Sequence, residues 1–135
     1  MRILVVEDNP ADIRIIQEVF QDFKTNIQLY ISRDGIEALD FLNKKGKYED
    51  MPNPDLILLD LNLPRKNGIE LLNEIKKDED LKDIPVIILT TSNNKEDILN
   101  TNKFGVNCFI TKPIGFDEYK KVLQSIEEFL LENCK

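Results

Sequence analysis

Oxygen atoms and amines are the only reactive groups this chain can assemble in number. Its 135 residues include no histidine and only two cysteines, Cys108 and Cys134. Zinc sites built on imidazole, Ser-His-Asp and Cys-His nucleophiles, and a phosphohistidine on this chain are all excluded. Four short apolar runs end in the residues that remain. Ile3–Val6 leads into Glu7 and Asp8, and Leu56–Leu59 into Asp60, with Asn62 two residues on. Pro85–Leu89 leads into Thr90, Thr91 and Ser92, and the run from Val106 to Thr111 leads into Lys112 and Pro113. Three carboxylates brought together repel one another, and their pKa values rise unless a cation joins them. An oxygen-only ligand set suits Mg²⁺, which binds one or two carboxylates and keeps several waters. A carboxylate beside such an ion can attack phosphorus and form an acyl phosphate. A hydroxyl can then hydrogen-bond a phosphoryl oxygen, and an ammonium can balance the added charge.

The elements between these runs decide whether they meet. After the first strand, Asn9-Pro10-Ala11-Asp12 opens a helix whose apolar stripe, Ile13, Ile16, Val19/Phe20 and Phe23, predicts helix through about Phe23. Ile27, Leu29 and Ile31 alternate with polar residues as a second strand, and Asp34-Gly35 turns into a helix expected to end near Gly46. Residues 43–54 form a loop with two prolines, read as a tolerated insertion or a partner contact. Leu56–Asp60 is the third strand, and Gly68 opens a helix with Ile69, Leu72 and Ile75 on one face. After the fourth strand, Lys95 to about Lys103 is a weakly amphipathic helix with Ile98 and Leu99 as its apolar contacts. Val106–Thr111 is the fifth strand. A last helix carries the stripe Phe116, Tyr119, Val122, Leu123, Ile126, Phe129 and Leu130.

Strand and helix alternate five times. That order predicts an α/β fold, a doubly wound five-stranded parallel sheet of flavodoxin-like form. Ligands of such sheets bind beyond the carboxyl ends of the strands, where Glu7, Asp8, Asp60, Thr90 and Lys112 all fall. The expectation is a single domain over residues 1–135 with no output domain.

Taken together, Val5-Val6-Glu7-Asp8-Asn9, Leu58-Leu59-Asp60-Leu61-Asn62-Leu63-Pro64 with Gly68, Pro85–Thr90 and Thr111-Lys112-Pro113 resemble the receiver domain of two-component response regulators. The resemblance covers essentially the whole chain. Within the family, the long 43–54 loop, the segment 61–68 and the Thr90-Thr91-Ser92 ending are similar to the small stand-alone regulators of bacterial phytochromes and related sensor kinases. The resemblance implies that Asp60 is the phosphoacceptor and that Asp8 binds Mg²⁺ directly, with Glu7 acting through water. It further implies that the Asn62 backbone carbonyl is another ligand, with Mn²⁺ able to substitute. Thr90 is implied to be the switch hydroxyl, Lys112 the phosphate-contacting lysine, Phe109 the switch aromatic, and the Lys112–Pro113 peptide cis. Phe109 departs from the tyrosine many receivers carry and reads equally as core packing. Thr91 adds bulk where a small residue often follows the switch hydroxyl, and strand register favours Thr90 over Thr91 for that role.

The implied partners are a sensor histidine kinase, phytochrome-like by the same likeness, and a downstream protein. The downstream protein would meet the face made by the fourth helix, fifth strand and last helix, which could also pair two copies. Composition agrees with a cytoplasmic signalling protein. With 25 acidic against 18 basic residues, the net charge of −7 repels phosphate backbones and argues against nucleic acid. The longest apolar runs are far shorter than the roughly 20 residues a membrane helix needs, so no membrane is expected. The first residues lack a basic leader, and the two cysteines read as reduced thiols. A protein-interaction scaffold has no need of Lys112 or the acid pair. An aspartyl-phosphate phosphatase would place its nucleophile after the first strand, with a second acid two residues later. These two are the competing readings of an otherwise non-enzymatic phosphoacceptor.

Overall fold

Short runs rich in branched apolar residues favour strands buried on both faces, and they form the centre of the molecule. The structure is a computed structural model. It describes residues 1–23, 26–91, 95–103, 105 and 108–133, with the backbone alone at 100 and 130–133. The strands are β1 (Arg2–Val6), β2 (Gln28–Ser32), β3 (Leu56–Leu59), β4 (Val86–Thr90) and β5 (Cys108–Thr111). The helices are α1 (Pro10–Gln21), α2 (Gly35–Leu42), α3 (Gly68–Lys77), α4 (Lys95–Lys103) and α5 (Phe116–Asn133). The strands lie in the order β2-β1-β3-β4-β5, every neighbouring pair parallel. This is the doubly wound, flavodoxin-like arrangement expected from the alternation.

Successive strand residues serve opposite layers. Leu4, Val6, Ile57, Leu59, Val86 and Ile88 pack with Ala38, Phe41, Leu42, Leu71, Leu72 and Ile75 of α2 and α3. Ile3, Val5, Leu56, Leu58, Ile87 and Leu89 pack with Ile16, Val19 and Phe20 of α1 and Tyr119, Leu123 and Ile126 of α5. A one-residue slip in any central strand would exchange its two faces, so burial locks the register that aligns the strand ends.

Several boundaries differ from the expectation. Helix α1 stops at Gln21, and Phe23 instead packs on Phe20 with the rings tilted and their centroids 4.5 Å apart. Helix α2 stops at Leu42, because Lys44 adopts a left-handed φ of 58° that no helix continues. The following loop contains a 3-10 turn, Gly46–Tyr48, whose Tyr48 ring meets Phe41 edge-on at 5.4 Å. Leu99 does not anchor α4: it is 61% exposed, and the helix buries Thr101 instead. The Lys112–Pro113 peptide is trans, not cis. The trans form of an X-Pro bond is favoured by about 0.5–1 kcal/mol, and Lys112 makes all its rim contacts in this isomer. Ser92, Val106 and Cys134, together with the Leu130 side chain, lie outside the described residues; Cys108 is exposed.

The segment after β3 is fastened at two glycines. A Cβ on Gly68 would stand 2.5 Å from the Leu61 Cα and 2.6 Å from the Asp60 carbonyl oxygen, so only glycine lets α3 begin this close to Asp60. A Cβ on Gly35 would collide with the Lys66 carbonyl. Beside it, buried Asp34 caps α2 by accepting from the Glu37 N–H at 2.7 Å. Its other oxygen accepts from Arg65 at 3.1 Å, and Arg65 itself holds a left-handed φ of 65°. Gly68→Ala is therefore expected to cost about 1–3 kcal/mol, the range for overpacking a tight contact. Urea unfolding measures this, and a loss below about 0.5 kcal/mol, the size of an ordinary surface substitution, would show that the close approach relaxes freely.

Candidate functional site

The sheet's own ladder places the rim residues. Beyond the strand ends, the Glu7 N–H donates to the Ser32 carbonyl at 2.9 Å and the Asp60 N–H to the Val6 carbonyl at 3.0 Å. The Lys112 N–H donates to the Thr90 carbonyl at 2.7 Å. Thr90 is the last residue of β4 and lies opposite Thr111 of β5.

Both oxygens of Asp60 are engaged, and the residue is buried. Its Oδ1 accepts the Thr90 hydroxyl at 2.8 Å and the Asn62 backbone N–H at 3.0 Å. Its Oδ2 accepts from Lys112 at 3.0 Å. Thr90 is fully buried and Thr91 exposed, so Thr90 is the hydroxyl on Asp60. Asn62 lies on the surface of the same rim, its side-chain amide donating to Thr91 Oγ1 at 3.2 Å and Thr90 Oγ1 at 3.4 Å. Phe109 stands opposite Ile88, two residues below the Thr90–Thr111 pair. Its partly buried ring packs against the α2/α3 layer.

Lys112 has the most crowded surroundings. Its side chain is 5% exposed, and its ammonium meets both Glu7 oxygens at 2.9 Å, Asp12 Oδ2 at 2.8 Å and Asp60 Oδ2 at 3.0 Å. An ammonium has three donors, so these contacts are shared. Asp12 was missed by the sequence reading, which treated it as part of a helix start. Asn9 Oδ1 already accepts the Ala11 and Asp12 N–H groups at 2.9 and 3.3 Å, so the helix needs no second cap from the Asp12 carboxylate.

Crowding of acids shows in their protonation. Burial pushes the Glu7 carboxyl up to about 8, assisted by its hydrogen bond with Asp60 and the Asp60 charge, while Lys112 opposes the shift. For Asp60, burial alone would raise the pKa. The hydrogen bond with Glu7, the Asn62 N–H, the Lys112 charge and the Thr90 hydroxyl outweigh it and hold the carboxyl below its ordinary range. A proton shared by this pair therefore resides on Glu7. Burial lowers the Lys112 pKa, but its hydrogen bonds to Asp12 and Glu7 and the charges of Glu7 and Asp60 reverse the effect and raise it. Burial also raises the Tyr119 pKa, with the Asp12 charge next, and its hydroxyl has no hydrogen-bond partner among the described residues.

One carboxylate oxygen from each of Glu7, Asp8 and Asp60 lies within 4.8 Å of the other two. Asp8 is exposed, which leaves room for water on a bound ion. An all-oxygen, partly open cluster fits a hard divalent cation.

Comparison with known proteins agrees with the fold. Residues 3–124 match the model of the response regulator receiver domain. The response regulator Rcp1 of Synechocystis sp. is 49% identical over 130 residues, 96% of this chain and 88% of that protein. The crystal structure of the phosphorylated cyanobacterial phytochrome response regulator RcpA superposes with a TM-score of 0.93 at 47% identity, covering 96% of this chain and 93% of that one. The Mn²⁺-bound form of Rcp1 gives a TM-score of 0.93 at 48% identity over 98% of this chain and 95% of that one. The chain belongs to the receiver domain family of two-component response regulators.

The raised Glu7 pKa predicts a pH dependence. Near neutral pH the folded, metal-free protein holds a proton that an unfolded glutamate, titrating near 4.5, has already lost. That stabilisation is full below the unfolded value and is lost as pH rises through about 8. In EDTA the melting temperature should fall between those values, and Glu7→Gln should flatten the slope. A wild-type melting temperature that rises steadily over the same interval would contradict the assignment.

Proposed function

We propose that Asp60 accepts a phosphoryl group and that the rim residues serve that transfer. The observation that carries this reading is the occupancy of Asp60: a hydroxyl on one oxygen and an ammonium on the other, both in a buried site. A carboxylate oxygen of Asp60 attacks phosphorus, and the bond from phosphorus to the donor's leaving group breaks with its electron pair departing on that group. Lys112 turns from carboxylate to phosphoryl oxygen, and Thr90 donates its hydroxyl to another. Mg²⁺ held by Glu7, Asp8, Asp60 and the Asn62 carbonyl supplies neutralisation of the phosphoryl charge when bound. The Mn²⁺-bound relative supports a divalent ion here and the use of Mn²⁺ in its place. The chain is a phosphoacceptor with self-phosphorylating and self-dephosphorylating chemistry, not an enzyme acting on other substrates.

With no histidine of its own, the chain takes its phosphoryl group from a sensor histidine kinase. The likeness to a phytochrome response regulator favours a phytochrome-like kinase. Thr90 drawn towards the phosphoryl group vacates space above Phe109, which shares its sheet face, so the β4–β5 edge gains a second packing arrangement. Leu99 of α4, Ile114 after β5 and Phe116 of α5 are 61%, 98% and 48% exposed, the large exposed apolar side chains among the described residues. They mark this side of the domain as the surface for a downstream protein or a second copy of the chain. No described helix is long and apolar enough to cross a membrane, and we place this signalling in the cytoplasm.

Incubation with Mg²⁺ and a small phosphodonor should add one phosphate by intact mass. Asp60→Asn should add none, and EDTA should slow uptake by at least about 10-fold, in line with losing electrostatic stabilisation of the transferred group. Equal uptake by Asp60→Asn would move the nucleophile elsewhere. Hydrogen exchange with and without a phosphoryl mimic should change in α4 and at the start of α5; changes confined to α1 and α2 would exclude that face as the output.

A further inference from the structure

Asp12 is the one acid around Lys112 that the phosphorylation reading leaves without a task. Its Oδ2 lies 2.8 Å from the ammonium, the shortest of the four contacts. The other three belong to Glu7 and Asp60, both members of the trio whose oxygens come together within 4.8 Å. Asp12 stands outside that trio, on α1 rather than at a strand end, with its side chain 19% exposed.

The ammonium and a divalent cation therefore want the same oxygens. A buried ammonium stripped of its partners is strongly unfavourable. Without an alternative acceptor Lys112 would remain on Glu7 and Asp60 and oppose any incoming ion. We propose that Asp12 is a positioning residue that takes over the Lys112 ammonium when a divalent cation occupies Glu7 and Asp60. It thereby opens those acids to the metal and keeps the ammonium at the rim, within reach of the phosphoryl group. This inference rests on the reading of Glu7, Asp8 and Asp60 as the metal ligands. Asp12 neither binds the ion nor touches phosphorus. It acts through Lys112.

Calorimetric titration of Mg²⁺ into four proteins tests it: wild type, Asp12→Asn, Lys112→Met and the double variant. Asp12→Asn should weaken Mg²⁺ binding about threefold to tenfold, the size of a coupling between neighbouring groups, while the same change in the Lys112→Met background should alter it by less than about twofold. Asp12→Glu, which keeps the carboxylate, should bind within about twofold of wild type. Melting curves establish that each variant is folded, and if Asp12→Asn is not, Asp12→Ser takes its place. An equal loss in both backgrounds would make Asp12 a distant charge and overturn the proposal, as would unchanged binding in Asp12→Asn. A wild-type chain that binds no Mg²⁺ would instead overturn the metal reading on which the proposal stands.

Discussion

One buried ammonium holds together a rim that carries four carboxylates. Lys112 is the counter-charge to Glu7, Asp12 and Asp60 at once, with Asp8 at the exposed side of the same cluster. A single positive charge does not neutralise this set, and burial beside Asp60 holds the Glu7 carboxyl above its ordinary range. The rim is thus electrostatically incomplete in the apo protein. A divalent cation completes it, and a phosphoryl group then adds the negative charge that gives Lys112 a new partner. Binding and chemistry follow from the same imbalance.

That arrangement tolerates little slack, and the fold provides little. Glu7, Asp60 and Lys112 are each held by a backbone bond that continues the sheet beyond its last strand residue. The central strands are buried on both faces, so their register resists slipping. Gly68 brings the first turn of α3 against the Asp60 backbone, and the Asp34–Arg65 pair ties the intervening loop to the start of α2. The β4–β5 side is looser. Leu99 projects into solvent and Phe109 is only partly covered, so movement begun at Thr90 meets less packed material there than towards α1 or α3.

The architecture was legible because its signals are local and periodic. Apolar runs of four residues between amphipathic helices allow few folds other than a parallel sheet, and strand ends in such a sheet gather whatever follows them. Glu7, Asp8, Asp60, Thr90 and Lys112 were found in that way, and the structure brings them together. Asp12 was not found, because its part depends on where a helical side chain points after the sheet has formed. Leu99 was misplaced for a related reason: a helix with two adjacent apolar residues does not reveal which of them faces the core. The end of α2 was misjudged because Lys44, rather than Gly46, first takes the left-handed conformation that breaks the helix. The Lys112–Pro113 isomer turns on a small energy difference that sequence does not resolve.

Lys112 is the resident cation of the rim, the charge that a divalent ion bound at Glu7 and Asp60 has to displace. The most direct measurement is the Mg²⁺ affinity of Lys112→Met compared with the intact chain, at a pH above the Glu7 titration so that protonation does not intervene. Loss of the competing ammonium should tighten Mg²⁺ binding several-fold, because Glu7 and Asp60 are then free of a like charge on the same oxygens. Binding that is unchanged or weaker in Lys112→Met would contradict the account, because the ammonium would then not be what the metal has to displace.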